Sequence, residues 1–156
     1  MPKKPILILA MIAFTGFLTV SVLGQISRKS VSAAAVTGTF RHNFPGKFRG
    51  SSSEIRIVSI GRGKLKVAFD LTYPYMMDDT EMTANTGTAD GTAMIEGDTA
   101  VYTSNEFGPC RITIRFVKPG QIKVTQEGTD ADCGFGHNVM ADGVYRKVSG
   151  AKPKFN

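Results

Sequence analysis

The chain has 156 residues, 42% of them hydrophobic and 21% charged, with 17 glycines, two cysteines and a formal charge of +6. That is the length of one domain and the composition of a globular protein, which excludes a disordered or fibrous chain and leaves little room for a multi-domain enzyme.

Lys3 and Lys4 precede an uncharged, mostly apolar run from Ile6 to Leu23, which ends in small residues. A basic stub, an apolar centre and a small-residue end describe a secretory signal peptide. Val22 and Gly24 suit the positions a signal peptidase reads, so cleavage is expected after Gly24, with a second possible site in the run from Ser32 to Ala35. The alternative is an uncleaved membrane anchor over residues 6–23, because a bilayer span needs about 20 apolar residues. Position 25 is Gln25 and not cysteine, so there is no thiol to acylate as in a lipoprotein. The expected organisation is a signal peptide over 1–24, a flexible linker over 25–35, a β-domain over 36–148 and a polar tail over 149–156.

Charge is unevenly distributed. Residues 28–66 hold nine basic residues and a single acid, Glu54, whereas residues 67–104 hold no Lys or Arg and several acids, among them Asp70, Asp78, Asp79 and Asp90. These regions are expected to pair as neighbouring strands on a solvated surface or to attract opposite partners.

The remaining segments read as strands. Val36 to Phe40 is a short apolar segment. Ile55 to Ile60 and Leu65 to Leu71 flank Gly61-Arg62-Gly63, a hairpin loop with glycines where positive φ is wanted. Residues 86–95 alternate, with Gly87, Ala89, Gly91, Ala93 and Ile95 on one face, so that face can lie close to large side chains opposite, with Phe69, Ile112, Ile114 and Phe116 as candidates. Asp90-Gly91 could instead be a turn that splits the segment. Glu96-Gly97-Asp98 precedes a strand from Ala100 to Thr103. Arg111 to Val117 and Ile122 to Gln126 form a hairpin about Pro119-Gly120, and a last strand is expected from Asn138 to Lys147. No segment after residue 30 carries a helical period with a cap. About eight strands in this length predict an all-β fold, a small antiparallel barrel or, alternatively, a β-sandwich.

Cys110 and Cys133 are predicted to form a disulfide, since an even cysteine count in an exported chain reads that way and the intervening hairpin returns the chain. A zinc site is the rival, but no CxxC pair or histidine cluster accompanies these thiols.

The series GTADGTAMIEGDTAVY, the strand CRITIRF, and CGFG followed by ADGVYRK resemble small exported bacterial β-proteins, and the layout over Val36 to Lys147 is similar to that of periplasmic lysozyme inhibitors. The resemblance implies a small disulfide-bearing barrel that acts by binding. No active-site-plugging residue of such inhibitors can be matched.

Chemistry-bearing residues are few. His42 and His137 are the only histidines, and no nucleophile-elbow pattern surrounds Ser51-Ser52-Ser53, which reads as a flexible loop. Asp78, Asp79 and Glu81 lack the spaced ligands of a calcium loop and read as a solvated acidic loop. No pattern calls for a metal, a cofactor or a catalytic residue.

Two loops look suited to recognition. From Phe40 to Arg49, three phenylalanines interleave with Arg41, Lys47 and Arg49 around His42, and Pro45 and Gly46 argue against a central strand. Tyr73-Pro74-Tyr75-Met76-Met77 offers adaptable contact residues. Gly134 to Asn138, fixed by Cys133, is a third region. Arg41, His42, Lys47, Arg49, Tyr73 and Tyr75 are therefore the candidate binding residues. An acidic protein surface or an anionic envelope glycan fits their charge. Nucleic acid fits poorly with export and a charge of +4 once Lys3 and Lys4 are removed, and membrane contact would come only through an uncleaved signal segment. An exported binding or inhibitor-like protein without a catalytic centre is the expected function, ahead of a carrier of a small hydrophobic ligand in the barrel interior and of a hydrolase.

Overall fold

A computed structural model describes residues 30–155, so the signal segment and residues 25–29 lie outside the described residues. A short helix, α1 (Ala33–Val36), is followed by eight strands: β1 (Gly38–Asn43), β2 (Ser52–Gly61), β3 (Lys64–Met76), β4 (Met82–Glu96), β5 (Thr99–Ser104), β6 (Cys110–Lys118), β7 (Gln121–Glu127) and β8 (Gly143–Ser149). Each strand pairs antiparallel with the next, and β8 returns to β1, closing an up-and-down barrel. The barrel, not the sandwich, is the fold.

Alternation sets the inside. Leu65, Val67, Phe69 and Leu71 of β3 point inward beside Ile55 and Ile57 of β2 and Ile112 and Ile114 of β6, all at 0–1% exposure. Phe40 and Tyr145, the largest residues of β1 and β8, complete this core at 0% and 1%. The Gly61-Arg62-Gly63 turn has φ of 84°, 53° and 69°, a left-handed run that glycine tolerates best.

The glycine-alanine stripe does face in, on one unbroken strand: Gly87, Ala89, Gly91 and Ala93 stand opposite Leu71, Phe69, Val67 and Leu65. What it makes room for differs from expectation. A Cβ on Gly87 would lie 2.7 Å from Cβ of Phe135, and one on Gly91 would lie 2.9 Å from the Tyr102 ring. Phe135 comes from a loop, not a strand, and nothing in its local pattern marks it as an inward residue.

Several boundaries move. Residues 33–35, expected within a linker, and Val36, expected to open the first strand, form α1, capped by Ser32 Oγ accepting from the Ala35 N–H at 3.2 Å; the strand begins at Gly38. The four-residue helix is too short for periodicity to reveal. It is held by Lys147, whose Nζ donates to the carbonyls of Ala35 and Thr37 at 2.7 and 2.8 Å and sits 5.2 Å over the Phe40 ring. Burial lowers the pKa of this ammonium, and the three carbonyls it reaches, Ala34 included, take the place of water. The last strand starts at Gly143, not Asn138, because residues 128–142 are consumed in the loop around the disulfide. The tail is not free either: the Arg56 guanidinium donates to Lys154 O at 2.9 Å, and Phe155 receives Lys66 Nζ at 4.7 Å from its ring centre.

Up-and-down order sorts the connections onto two ends. At one end, two tight turns (Arg62-Gly63 and Gly97-Asp98), the Pro119-Gly120 turn and α1 close the barrel. At the other lie every long connection: 44–51, the β3–β4 hairpin tip, 105–109 and 128–142.

Candidate binding face at the loop end

The loop end carries all six sequence-predicted binding residues, on two adjacent structures. Arg41, His42 and the 44–51 loop are on β1 and its exit; Tyr73 and Tyr75 are on β3. Ser51 Oγ reaches Met82 Sδ at 3.9 Å, which joins the loop to the hairpin beside its tip.

The Phe40–Arg49 segment is not one loop. Phe40 to Asn43 belong to β1, and only 44–51 leaves the sheet, with a 3-10 turn at Gly46–Phe48. Phe40 is a core residue with no exposure, so it offers no stacking face to a partner. Arg41 points outward but forms a 2.9 Å ion pair with Glu54 across the strand. Lys47 and Arg49 remain exposed, Lys47 Nζ 5.3 Å over the half-buried Phe48 ring. The 44–51 loop is closed by its own backbone, with Phe44 N donating to Ser51 O and Ser51 N to Phe48 O.

His42 is committed to structure. Its Nδ1 lies 3.0 Å from Val144 O and must therefore carry the proton, and its ring rests against Phe44 and Tyr145 at 5.0 and 5.6 Å. Ser53, expected in a flexible loop, stands opposite His42 on β2 and is 2% exposed. Its Oγ accepts from the Thr72 N–H at 3.0 Å, so it serves the β2–β3 edge. Tyr145 donates to Ala141 O at 3.0 Å, and burial first, then the charge of Asp142, pushes its phenol well above the usual range.

Tyr73 and Tyr75 are not in a loop, because β3 continues to Met76 with Met82 as its partner. Pro74 argues for a loop, yet its missing N–H is harmless here: β2 has already ended its ladder at Glu54↔Asp70. The β3–β4 hairpin thus projects beyond the barrel rim, and its inner face shows Tyr73 and Tyr75 with ring centres 6.4 Å apart. Asp78 closes the tip, its Oδ1 accepting from Thr80 N–H at 2.7 Å and Glu81 N–H at 2.8 Å, which lowers its pKa. The acidic loop is a capped turn.

The 128–142 loop covers the mouth beneath this overhang. Cys110 and Cys133 are bonded, with Cα atoms 4.8 Å apart. Asn85 Nδ2 donates to His137 O at 2.7 Å and Gly136 N to Thr86 O at 3.1 Å, so the loop is tied to β4. Tyr73, Asp130, Asn138 and Met140 line a shallow cleft of about 450 Å³ between hairpin and loop. His137 is 83% exposed, 3.8 Å from Asp130. This face brings the second and third expected regions together. Sequence spacing carries no signal for that meeting, which depends on where the disulfide returns the chain.

Asp130 and Asp132 hold the loop through backbone hydrogen bonds from Asn138 and Thr129 respectively, and these bonds lower both pKa values. Such carboxylates stabilise the fold above their unfolded value of about 3.9, and that contribution is lost as pH falls through the lowered folded values. We expect the Thr129 and Asn138 amide resonances to shift together and lose protection below about pH 4, before global unfolding. Unchanged amides from pH 5 to pH 2 would show that the two aspartates are not what orders the loop.

No match to this chain is found among family models, curated proteins or solved structures. What the face can do rests on its own chemistry: two free cations on a closed loop, a projecting tyrosine pair and a bonded loop between. Among the described residues no group of three or more His, Cys, Asp or Glu could hold a metal ion.

Proposed function

We propose that the chain is an exported binding or inhibitor-like protein that recognises an acidic partner, a protein surface or an anionic envelope glycan, through the loop end of the barrel. The observation that carries this reading is the state of Lys47 and Arg49: both are exposed, and neither has a carboxylate partner among the described residues. Charged groups left without partners at a face of ordered loops favour opposite charge and raise association rates. Tyr73 and Tyr75 supply rigid contact area beside them. Phe69, Ile112, Ile114 and Phe116 are buried in the barrel core, which favours loops over the interior as the binding element, and a cavity of about 360 Å³ lined by Val31, Phe40 and Phe116 lies at the opposite, α1 end.

Export is supported by the signal-like start and by a disulfide, which persists in oxidising compartments. Cleavage after Gly24 is the better site of the two, because cutting at Ala35 would remove most of α1 and two of the three carbonyls Lys147 holds.

A pull-down from envelope extract identifies the partner. The Lys47→Ala/Arg49→Ala variant is then expected to bind it roughly tenfold more weakly and with a flatter salt dependence. Arg41 is left intact because its loss would strand Glu54. If the double variant binds as the parent does at every salt concentration, the 44–51 loop is not the recognition element.

A further inference from the structure

The barrel wall has a gap on one side of β4. Its ladder with β5 ends at Ala93↔Tyr102, although β4 runs back to Met82 and β5 runs on to Ser104. Thr86 O is taken by Gly136 N from the 128–142 loop. Between these two anchors no strand pairs with Gly87 to Thr92 on that side among the described residues. In an antiparallel strand successive residues turn their N–H and C=O to opposite sides. Thr86 faces the gap, so Thr88, Asp90 and Thr92 also direct their backbone donors and acceptors into it. Their side chains are exposed on the outer surface. Ala89 and Gly91 face inward, yet both are half-exposed, while Phe69 and Val67 opposite them are at 1% and 0%. The gap is therefore open to solvent.

The other exposed edge of the same hairpin is guarded. On β3, Ser53 Oγ bonds Thr72 N–H and Pro74 has no N–H to offer. Natural sheets blunt free edges in such ways. Among the described residues the β4 edge carries no proline or bulge from 88 to 92; Tyr102 fills the space on the inner side at Gly91, and on the outer side the edge has the charge of Asp90.

We infer that this β4 edge is a docking site for an extended strand of a partner protein, one that places a lysine or arginine beside Asp90 and small residues inward. Strand addition to an exposed edge takes its affinity from main-chain hydrogen bonds and its specificity from alternate side chains. On the outer face Asp90 lies diagonal to Asp70 on one side and to Lys66 on the other; the Lys66 ammonium is turned over the Phe155 ring, and neither carboxylate has an ion-pair partner among the described residues. The two share a groove of about 350 Å³ that Arg56 and Phe155 close on its far side. Across the gap, Glu106 adds a further negative charge near the Tyr102 phenol. Cross-strand neighbours of opposite charge stabilise a pair and like charges destabilise it. This selects a basic strand. It also disfavours a second copy, since two β4 edges paired antiparallel at greatest overlap would set Asp90 against Asp90. The inward positions must be small because Tyr102 and Phe135 already fill the space over Gly91 and Gly87.

The site is separate from the Lys47 and Arg49 loop and takes a partner segment of opposite charge. Hydrogen exchange on the purified full chain tests it, using a blocked threonine–alanine heptapeptide with lysine at its centre and a twin with glutamate there. The Thr88, Asp90 and Thr92 amides should exchange openly in the free protein and slow on adding millimolar lysine peptide, with at least about tenfold less effect from the glutamate twin. Asp90→Lys, at an exposed position, should reverse that preference. Protection present without peptide at every protein concentration would mean that the chain covers its own edge. Protection that grows with protein concentration would mean self-pairing. Either result overturns the inference, as would equal response to both peptides or no response to either.

Discussion

Replacing Cys110 and Cys133 by alanine is expected to lower the free energy of unfolding by about 3 kcal/mol, the loop-closure contribution of a ring this size. The cost reaches the upper part of a range of roughly 2–5 kcal/mol if the 128–142 loop also releases Phe135 from the core. That loop has no strand of its own. Besides the disulfide and the internal bonds of Asp130 and Asp132, it is tied to the barrel by Asn85, by the Gly136–Thr86 bond, by Tyr145, which donates to Ala141 O at 3.0 Å, and by Gln126, whose Oε1 accepts from Ala141 N–H at 2.9 Å. Urea unfolding of parent and variant, monitored by tyrosine fluorescence, reads the difference as a shift in midpoint at constant slope. A parent treated with reductant should match the variant. A loss below about 1 kcal/mol would mean that the loop is fixed by its packing, with the bridge an accessory.

The fold class was legible because alternation is a local property. Leu65 to Leu71 shows its inward face residue by residue, and the glycines at 61 and 63 announce the turn before it. The disulfide was legible from counting and from the hairpin between its cysteines. The errors fall where a residue's usual meaning was overridden by its neighbours in space. Pro74 reads as loop, yet it sits on a strand whose partner on that side has already ended. Pro45 and Gly46 read as loop, yet the first half of their segment is strand, and Phe40, set among cations in the sequence, belongs to the core. Phe155 looks like the end of a polar tail, and only the placement of Arg56 and Lys66 on the outer face gives it somewhere to rest.

The charge partition shows the same limit. The cross-strand pairs that form are Arg41–Glu54, Arg115–Asp98 and Arg111–Glu127, each between strand neighbours or a strand and its adjoining turn. All are exposed pairs, worth little to stability. None of these three joins the basic stretch 28–66 to the acidic stretch 67–104. The basic stretch leaves Lys47 and Arg49 uncommitted at the loop end, and the acidic one leaves Asp70 and Asp90 uncommitted on the β4 side. Two faces of opposite sign on one small barrel suit two different contacts better than one.

The meeting of Gly87 and Phe135 should be the most sensitive packing point outside the disulfide. Gly87→Ala puts a Cβ at 2.7 Å from Cβ of Phe135, and that carbon cannot swing away as the end of a long side chain would. The backbone around it is pinned on both sides, with Phe135 N donating to Asp130 O at 2.9 Å and Gly136 N to Thr86 O at 3.1 Å. Overpacking of this kind costs about 1–3 kcal/mol. Phe135→Ala removes a ring that is 7% exposed and is expected to cost about 3–5 kcal/mol. The two losses share a cause only in part, because Phe135→Ala removes the ring carbons 2.8 and 2.9 Å from the new Cβ but keeps the Cβ of residue 135 at 2.7 Å. The double variant should therefore cost less than the sum of the single losses yet more than Phe135→Ala alone, a departure from additivity smaller than the overpacking cost of about 1–3 kcal/mol. A double-mutant cycle by urea unfolding measures it. Additive losses would mean that Gly87 is required for backbone reasons on β4 and that Phe135 packs elsewhere, in which case the small-residue stripe was not shaped to receive the mouth loop.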